Sequence, residues 1–264
     1  MPGGLPGERR DEDASPPAGK VCWLASYPKS GNTWLRYILN EIFGYDDEGK
    51  SRVISFLKAY PANAPLVSLR GQQSKLLKTH LHPVHQRMSL VPDESIAAIL
   101  IRRHPLDILL SALNYAKLRD QSKFFLKGNV KSVEAIIADG EFPHYIDLFS
   151  RNDGFPLFSG SSGAMSKYLG RWRQLGVKVP ILELRYEDFT ADPKSGLREV
   201  AAFLQIDLSC AEIKRIVETV DQMTQKNDRF FWKRRAYNFT HMLPQELVEL
   251  FTDTCKPQLA GFGY

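Results

Sequence analysis

The segment Ser26-Tyr27-Pro28-Lys29-Ser30-Gly31-Asn32-Thr33-Trp34 follows a short apolar run and leads into a helical pattern. A loop between a strand and a helix N-terminus presents backbone N–H groups and the positive end of the helix dipole, which together bind phosphate. Lys29 adds a mobile full charge, the Ser30 and Thr33 hydroxyls add donors, and Gly31 lets backbone approach an anion closely. The spacing is not the GxxxxGK[ST] loop of nucleoside triphosphatases, because Lys29 precedes the glycine and no glycine opens the loop. The bland alternative is a surface turn with incidental Lys and Ser.

Three later strand ends carry residues of the same kind. Lys78-Thr79-His80 closes one apolar run; residues two apart in a strand share a face, so Lys78 and His80 project together. Ligands collect at the C-terminal ends of strands in open α/β sheets, which sets this histidine apart from an ordinary structural one. Arg102-Arg103-His104-Pro105 closes the next run, with Ser111 downstream in a helical pattern. An arginine suits an anion there because its planar fork contacts phosphate oxygens bidentately; a surface ion pair is the ordinary alternative. Tyr186-Glu187-Asp188 ends a fourth run, where the tyrosine equally fits a core and the two carboxylates fit caps of the following turn. His82, His85, His104, His144 and His241 lack a Lys-x-His setting and read as structural.

These residues need a sheet to gather them. Apolar runs at Val21–Ala25, Lys75–Thr79, Ile96–Ile101 and Pro180–Tyr186 read as strands, the first of them buried. Helical spacing marks Thr33–Phe43, Pro105–Leu118, Met165–Leu175, Lys194–Leu204, Ala211–Val220 and Pro244–Thr254; Pro105 and Asp107 suit a helix start. Strands alternating with helices predict an α/β fold, a central parallel β-sheet flanked by helices. Residues 1–20 mix Pro, Gly and alternating charge and read as a flexible tail before one domain over 21–264. Within that domain, 117–163 loosens into glycines and scattered aromatics, among them Phe142, Tyr145, Phe149, Phe155 and Phe158. It reads either as a mobile lid and acceptor loop or as a helical insertion with its aromatics in the core.

Of 264 residues, 43% are hydrophobic and 25% charged, which excludes disordered and fibrous classes. The net charge of +5 suits an anionic ligand and falls short of a nucleic-acid signature. Cys22, Cys210 and Cys255 form no metal-ligand spacing and no disulfide framework, so reduced buried thiols and no metal site are expected. Ile96–Ile101 is too short to span a bilayer and the N-terminus has no apolar signal core, which makes a cytoplasmic location the default expectation.

The Tyr-Pro-Lys-Ser-Gly-Asn-Thr-Trp loop resembles the 5′-phosphosulfate loop of the sulfotransferases that use 3′-phosphoadenosine-5′-phosphosulfate (PAPS). Lys78-Thr79-His80 is similar to the family's Lys-Thr-His, and Arg103, Pro105, Asp107 and Ser111 match its Arg-x-Pro-x-Asp and helical Ser. The resemblance implies a P-loop-like sulfotransferase fold, PAPS as co-substrate, and no metal. It further implies His80 as general base, Arg103 and Ser111 on the 3′-phosphate, and Tyr186 near the adenine. The 5′-phosphosulfate would sit on Lys29, Ser30, Gly31, Asn32, Thr33 and Trp34. Where the family carries Arg-Lys-Gly-x-x-Gly-x-Trp, this chain has Phe230 to Thr240 without either glycine, and Lys233, Arg234 and Arg235 are the basic candidates there. The family's Thr-Ser-Phe-x-x-Met survives only as Thr219-Val220-Asp221-Gln222-Met223.

The implied reaction moves a sulfuryl group from PAPS to a hydroxyl or amine through a loose transition state, by analogy with phosphoryl transfer. Lys29 would neutralise the leaving phosphate, Lys78 would support the bridging or sulfuryl oxygens, and His80 would take the acceptor proton. The acceptor would be a small molecule, aromatic or natural-product-like, rimmed by the Tyr27 and Trp34 region, Val53–Leu69 and 117–163, although the basic charge equally suits an acidic glycan. The loop's spelling looks more like bacterial small-molecule sulfotransferases than membrane-bound carbohydrate enzymes. The rivals are an ATP-dependent kinase and a non-catalytic nucleotide-binding module. Two arginines at the end of the neighbouring strand repel the Mg²⁺ that a kinase needs. Oligomeric state is not readable from the chain.

Overall fold

The computed structural model describes residues 20–45, 51–56, 64–85, 95–175, 179–226 and 231–264. Apart from Lys20, the expected tail lies outside them. At the centre of the sheet runs β1 (Lys20–Ser26), flanked by β4 (Gln72–Thr79) and β5 (Ser95–Arg102). Beyond them lie β2 (Val53–Ser55) and β6 (Ile181–Arg185), giving the order β2-β4-β1-β5-β6 with every pairing parallel. The outer edge of β4 is shared: its residues 76–78 pair with β2, and its residues 72–75 pair antiparallel with a short strand, β3 (Leu66–Leu69).

Alternation along β1 divides the core. Val21, Trp23 and Ala25 point into one apolar cluster, Cys22 and Leu24 into another, and all five are buried. The first face is covered by α2 (Pro105–Leu118), α4 (Phe142–Arg151), α6 (Met165–Leu175) and α12 (Lys256–Phe262). The second is covered by α1 (Asn32–Phe43), α8 (Pro193–Leu204) and α9 (Cys210–Lys226). A sheet buried on both faces needs continuous apolar runs rather than polar alternation, which is why the strands are readable as such. Each fully buried aliphatic or aromatic side chain contributes about 1.5–3 kcal/mol.

Residues 117–163 fold into 3₁₀ turns at Ser122–Phe124, Leu126–Gly128 and Pro156–Phe158, with α3 (Val133–Ala138), α4 and α5 (Ser159–Ser162). Phe142, Tyr145, Ile146 and Phe149 form one buried face of α4 at helical spacing, and Phe155 and Phe158 are buried beside them. Core packing thus accounts for the aromatics of this segment. The remaining helices are α7 (Tyr186–Ala191), α10 (Phe239–Met242) and α11 (Gln245–Thr254). Cys22 and Cys255 are buried free thiols, whereas Cys210 is exposed, so the expectation of burial fails for one of the three. Among the described residues no helix is long and apolar enough to cross a membrane.

Candidate active site

Because β1, β4, β5 and β6 are parallel, their C-terminal ends share one edge of the sheet. The segments leaving that edge carry Lys29, His80, Arg103 and Tyr186, and all four line one cavity of about 500 Å³. Gly31, Asn32, Thr33, Trp34, Lys78, Ser111 and Arg234 line it too. Ser30 lies just beneath, fully buried, with no hydrogen-bond partner for its Oγ.

The loop after β1 turns on two left-handed residues, Lys29 (φ 71°) and Gly31 (φ 104°). Glycine is required at the second of these. A Cβ there would meet the Tyr186 ring at 2.5 Å, closer than any carbon contact allows. No side chain caps α1 and no acidic residue sits in its first turn. The positive end of the helix therefore faces the cavity uncompensated.

His80 is oriented by β1. Its Nδ1 lies 2.8 Å from the Ser26 carbonyl oxygen and 3.3 Å from Ser26 Oγ. A carbonyl only accepts, so Nδ1 carries the proton and Nε2 keeps the lone pair. Asn32 Nδ2 donates to Ser26 Oγ at 3.1 Å and to the Leu24 carbonyl at 3.3 Å, tying the phosphate-type loop to the same residue. Burial and the nearby Lys78 and Lys29 push the His80 pKa down to about 3, against the Ser26 hydrogen bond that favours its charged form.

Like charges crowd the cavity. Burial, followed by Arg103, Arg119 and Lys78, pushes Lys29 down to about 7. Burial and Arg36 push Lys78 down to about 8. Lys29 Nζ lies 4.6 Å from the centre of the Tyr115 ring, which also carries Arg119 at 5.5 Å. Tyr115 had no motif to announce it. The available signal was its position one turn after Ser111, which puts both on one face of α2. Ser26 was equally silent: it opens the loop, but it orients His80 through a backbone carbonyl that any residue would supply.

Arg103 is 8% exposed and held from several sides. Its guanidinium stacks on Tyr186 at 4.4 Å, donates to Asp107 at 3.1 Å and donates to the Arg235 carbonyl at 3.2 Å. Asp107 in turn accepts from the Phe239 N–H at 3.2 Å, which fixes the start of α10 against α2. Arg103 Nε has no hydrogen-bond partner.

The late basic segment divides its three candidates. Arg234 lines the cavity, donating to the Asp221 carbonyl and to Thr224 Oγ1 at 3.1 Å each. Lys233 reaches Glu134 at 3.3 Å, and Arg235 engages Arg103 through its backbone carbonyl; neither lines the cavity. Lys233 (φ 63°), Arg234 (φ 39°) and Tyr237 (φ 51°) adopt left-handed backbone without glycine, at a cost of about 1–2 kcal/mol each. Arg185 Nη2, donating to Tyr237 Oη at 3.0 Å, helps to hold this shape.

On the acceptor side the sequence reading needs correction. Tyr27 does not rim the cavity: it is fully buried among Phe158, Tyr168 and Phe262. The described part of Val53–Leu69 lies at the sheet edge, away from the cavity wall. Leu157, Phe158 and Ser161 from the helical insertion reach the wall, joined by Tyr115, Phe231 and Trp232.

Among the described residues, Ser30 Oγ, Arg103 Nε and the acceptor Asn32 Oδ1 are buried without partners beside this group of mutually repelling cations, and the first two are donors. Donors left over beside crowded positive charge fit a polyanionic nucleotide. Among the described residues, no group of three His, Cys, Asp or Glu side chains is placed to hold a metal ion.

Comparison with known proteins agrees with the geometry. The sulfotransferase domain family matches residues 20–263. Rat Sulfotransferase 1A1 is 26% identical over 242 residues, covering 86% of this chain and 71% of the rat protein. A mouse sulfotransferase crystallised with PAP superposes with a TM-score of 0.60 at 19% identity, over 92% of this chain and 87% of its own. A retinol dehydratase in complex with androsterone and PAP gives 0.58 at 16% identity, over 90% and 80%. These two likenesses concern the fold. The family match rests on the sequence itself and runs from the first residue of β1 through α12, and on that ground the chain belongs to the sulfotransferase family, the enzymes that draw their sulfuryl group from PAPS.

Proposed function

We propose that this enzyme transfers the sulfuryl group of PAPS to the hydroxyl of a small, largely apolar acceptor, with His80 as the general base. The observation that carries the assignment is the fixed tautomer of His80. Its Nδ1–H is committed to the Ser26 carbonyl at 2.8 Å, so Nε2 is the nitrogen left to accept the acceptor's proton. PAPS supplies an activated sulfuryl group on a phosphate leaving group. Lys29, the first turn of α1 and the Thr33 hydroxyl bind the 5′ end of the nucleotide, and Lys29 neutralises charge as it develops on the leaving oxygen. Lys78, on the strand-end segment that carries His80, steadies the sulfuryl oxygens. Arg103, Ser111 and Arg234 hold the 3′-phosphate, while Tyr186 and Trp34 flank the adenine.

The His80 pKa near 3 belongs to a cavity whose cations face one another. An arriving polyanion neutralises Lys29 and Lys78, removes their repulsion of a protonated imidazole, and makes His80 a stronger base when it is needed. The cavity wall formed by Tyr115, Leu157, Phe158, Phe231 and Trp232 supports an apolar or aromatic acceptor. The androsterone held by the retinol dehydratase of similar fold is in keeping with that class.

The test separates chemistry from binding. His80→Ala is expected to abolish PAP release from PAPS in the presence of a panel of phenols and alicyclic alcohols. Its PAP affinity, measured by calorimetric titration, should stay within about threefold (~0.6 kcal/mol) of the parent. Arg103→Ala should instead weaken PAP binding. Retained transfer in the histidine variant would remove His80 from the base role, and unchanged PAP affinity in the arginine variant would remove Arg103 from the nucleotide site.

A further inference from the structure

We infer that Glu187, held by Tyr264, is a positioning residue that fixes the distance between Arg103 and Tyr186 and thereby sets recognition of the nucleotide's 3′-phosphate. The inference rests on the assignment of Arg103 and Tyr186 to the nucleotide site.

The sheet stops one residue short of this pair. The ladder between β5 and β6 ends at the pair Arg102↔Arg185. Arg103 and Tyr186 are the next residue on each chain, so no ladder pairing sets their separation, although the guanidinium stacks on the ring at 4.4 Å. Glu187 is one residue further along. Its Oε1 reaches back across the gap and accepts the backbone N–H of His104 at 2.8 Å. A side chain thus adds one more rung beyond the last backbone rung, and Arg103 and Tyr186 are caught between the two.

The carboxylate is itself fixed. Glu187 is 3% exposed, and its Oε2 accepts the Tyr264 hydroxyl at 2.6 Å. The Tyr264 ring is gripped by Arg102 at 5.4 Å, Arg185 at 4.9 Å and the His104 ring at 4.8 Å. Arg102 also donates to the Phe262 carbonyl at 2.7 Å and the Gly263 carbonyl at 3.3 Å, which anchors the chain on which Tyr264 sits. Each oxygen of this buried carboxylate has one donor, and the donors come from segments far apart in sequence. Such a bracket costs little once formed and resists distortion, because losing either donor leaves a buried charge short of a partner.

None of these atoms belongs to the cavity wall, so their effect on ligand must pass through the Arg103–Tyr186 pair, whose ring is kept in place by its own backbone while the guanidinium depends on the bracket for its place. That makes the test selective. PAP and AMP share adenine and 5′-phosphate and differ in the 3′-phosphate that Arg103 is assigned to hold. In calorimetric titrations of the full chain, Glu187→Ala and Tyr264→Phe are expected to weaken PAP binding about tenfold and AMP binding less than twofold. Glu187→Gln keeps an acceptor for the His104 N–H and should restore PAP binding to within about threefold of the parent. In an Arg103→Ala background, Glu187→Ala should add less than about twofold, because the two residues act as one unit.

Equal losses for PAP and AMP would overturn the proposal, since they would mark general damage to the fold. So would unchanged PAP binding in both Glu187→Ala and Tyr264→Phe while Arg103→Ala alone weakens it. If Arg103→Ala leaves the preference for PAP over AMP intact, the nucleotide assignment beneath the proposal fails and the proposal goes with it. Tyr264→Phe keeps the ring stack, so the test stands even if Glu187→Ala does not fold.

Discussion

Lys29 is a buried cation among cations, with a pKa lowered to about 7, and this makes it a reporter of nucleotide binding. An arriving phosphate favours the charged ammonium and raises that pKa. Above pH 7 the lysine must therefore pick up a proton when the nucleotide binds. Calorimetric titration of PAP at pH 8, in two buffers of different ionisation enthalpy, should show net proton uptake, and PAP affinity should fall as pH rises from 7 towards 10. Lys29→Met should remove most of the uptake; uptake that survives the substitution would assign the effect to Lys78. Lys29, Lys78, His80 and Arg103 were legible in the sequence because strand ends in a parallel sheet converge on one edge. Ser26, which orients His80, was not, because its part is played by a carbonyl that every residue has. The limits of the basic segment were equally hidden. Whether Lys233, Arg234 or Arg235 faces the cavity depends on left-handed backbone at Lys233 and Arg234, and neither residue type signals that conformation.

Among the elements, the turn from β1 into α1 carries the sharpest backbone requirement. Gly31→Ala combines a φ of 104° with a Cβ at 2.5 Å from the Tyr186 ring, so the ring must leave its stack on Arg103 or the helix must shift. We expect a stability loss of about 2 kcal/mol in urea unfolding, with PAP binding weakened at least tenfold (~1.4 kcal/mol). Gly128→Ala is the matched control: its φ is 71° and nothing lies within 4 Å of the added carbon. It should cost only the strain, about 1 kcal/mol, and leave PAP binding alone. A Gly31→Ala protein that binds PAP normally would show that the loop does not need its present approach to Tyr186. The four long strands were readable as continuous apolar runs, and six of the helices by the helical spacing of their apolar residues. The strands β2 and β3 escaped notice: with three and four residues they are too short for periodicity and exist because the edge of β4 offers them backbone partners. The insertion at 117–163 was hard to read for another reason. Its helices are short and broken by glycines, so the burial of Phe142, Tyr145 and Phe149 shows only once α4 has packed on α11.

Taken whole, the molecule is a sheet buried on both faces whose polar business is pushed to one edge, and this has a consequence for its acid stability. Three histidines are kept neutral in the fold. His80 is pushed down to about 3 by burial, Lys78 and Lys29, His82 to about 4 by burial, Arg171 and His85, and His104 to about 4 by burial, Arg103 and Arg185. In the unfolded chain all three return to about 6.5. Between pH 6.5 and 4 the unfolded chain therefore binds more protons than the folded one, and stability must fall as pH falls through that window. The contribution is held at neutral pH and is lost progressively as pH falls from about 6.5 towards the folded values near 4 and 3, so its upper part, above about pH 5, precedes most carboxylate titration. Urea midpoints measured at pH 7.0, 5.5 and 4.5 should decrease in that order, with most of the first step removed in a triple variant carrying His80→Gln, His82→Gln and His104→Gln. A flat profile down to pH 5 would mean that these rings are protonated in the fold, and His80 could not then be the base. Saturating PAP should make only the His80 share of this profile shallower, because neutralising Lys29 and Lys78 relieves their repulsion of a protonated ring while the larger effect of burial stays. The part of acid stability that responds to nucleotide and the basicity of His80 thus share one electrostatic source, and a single titration series with and without nucleotide reads both.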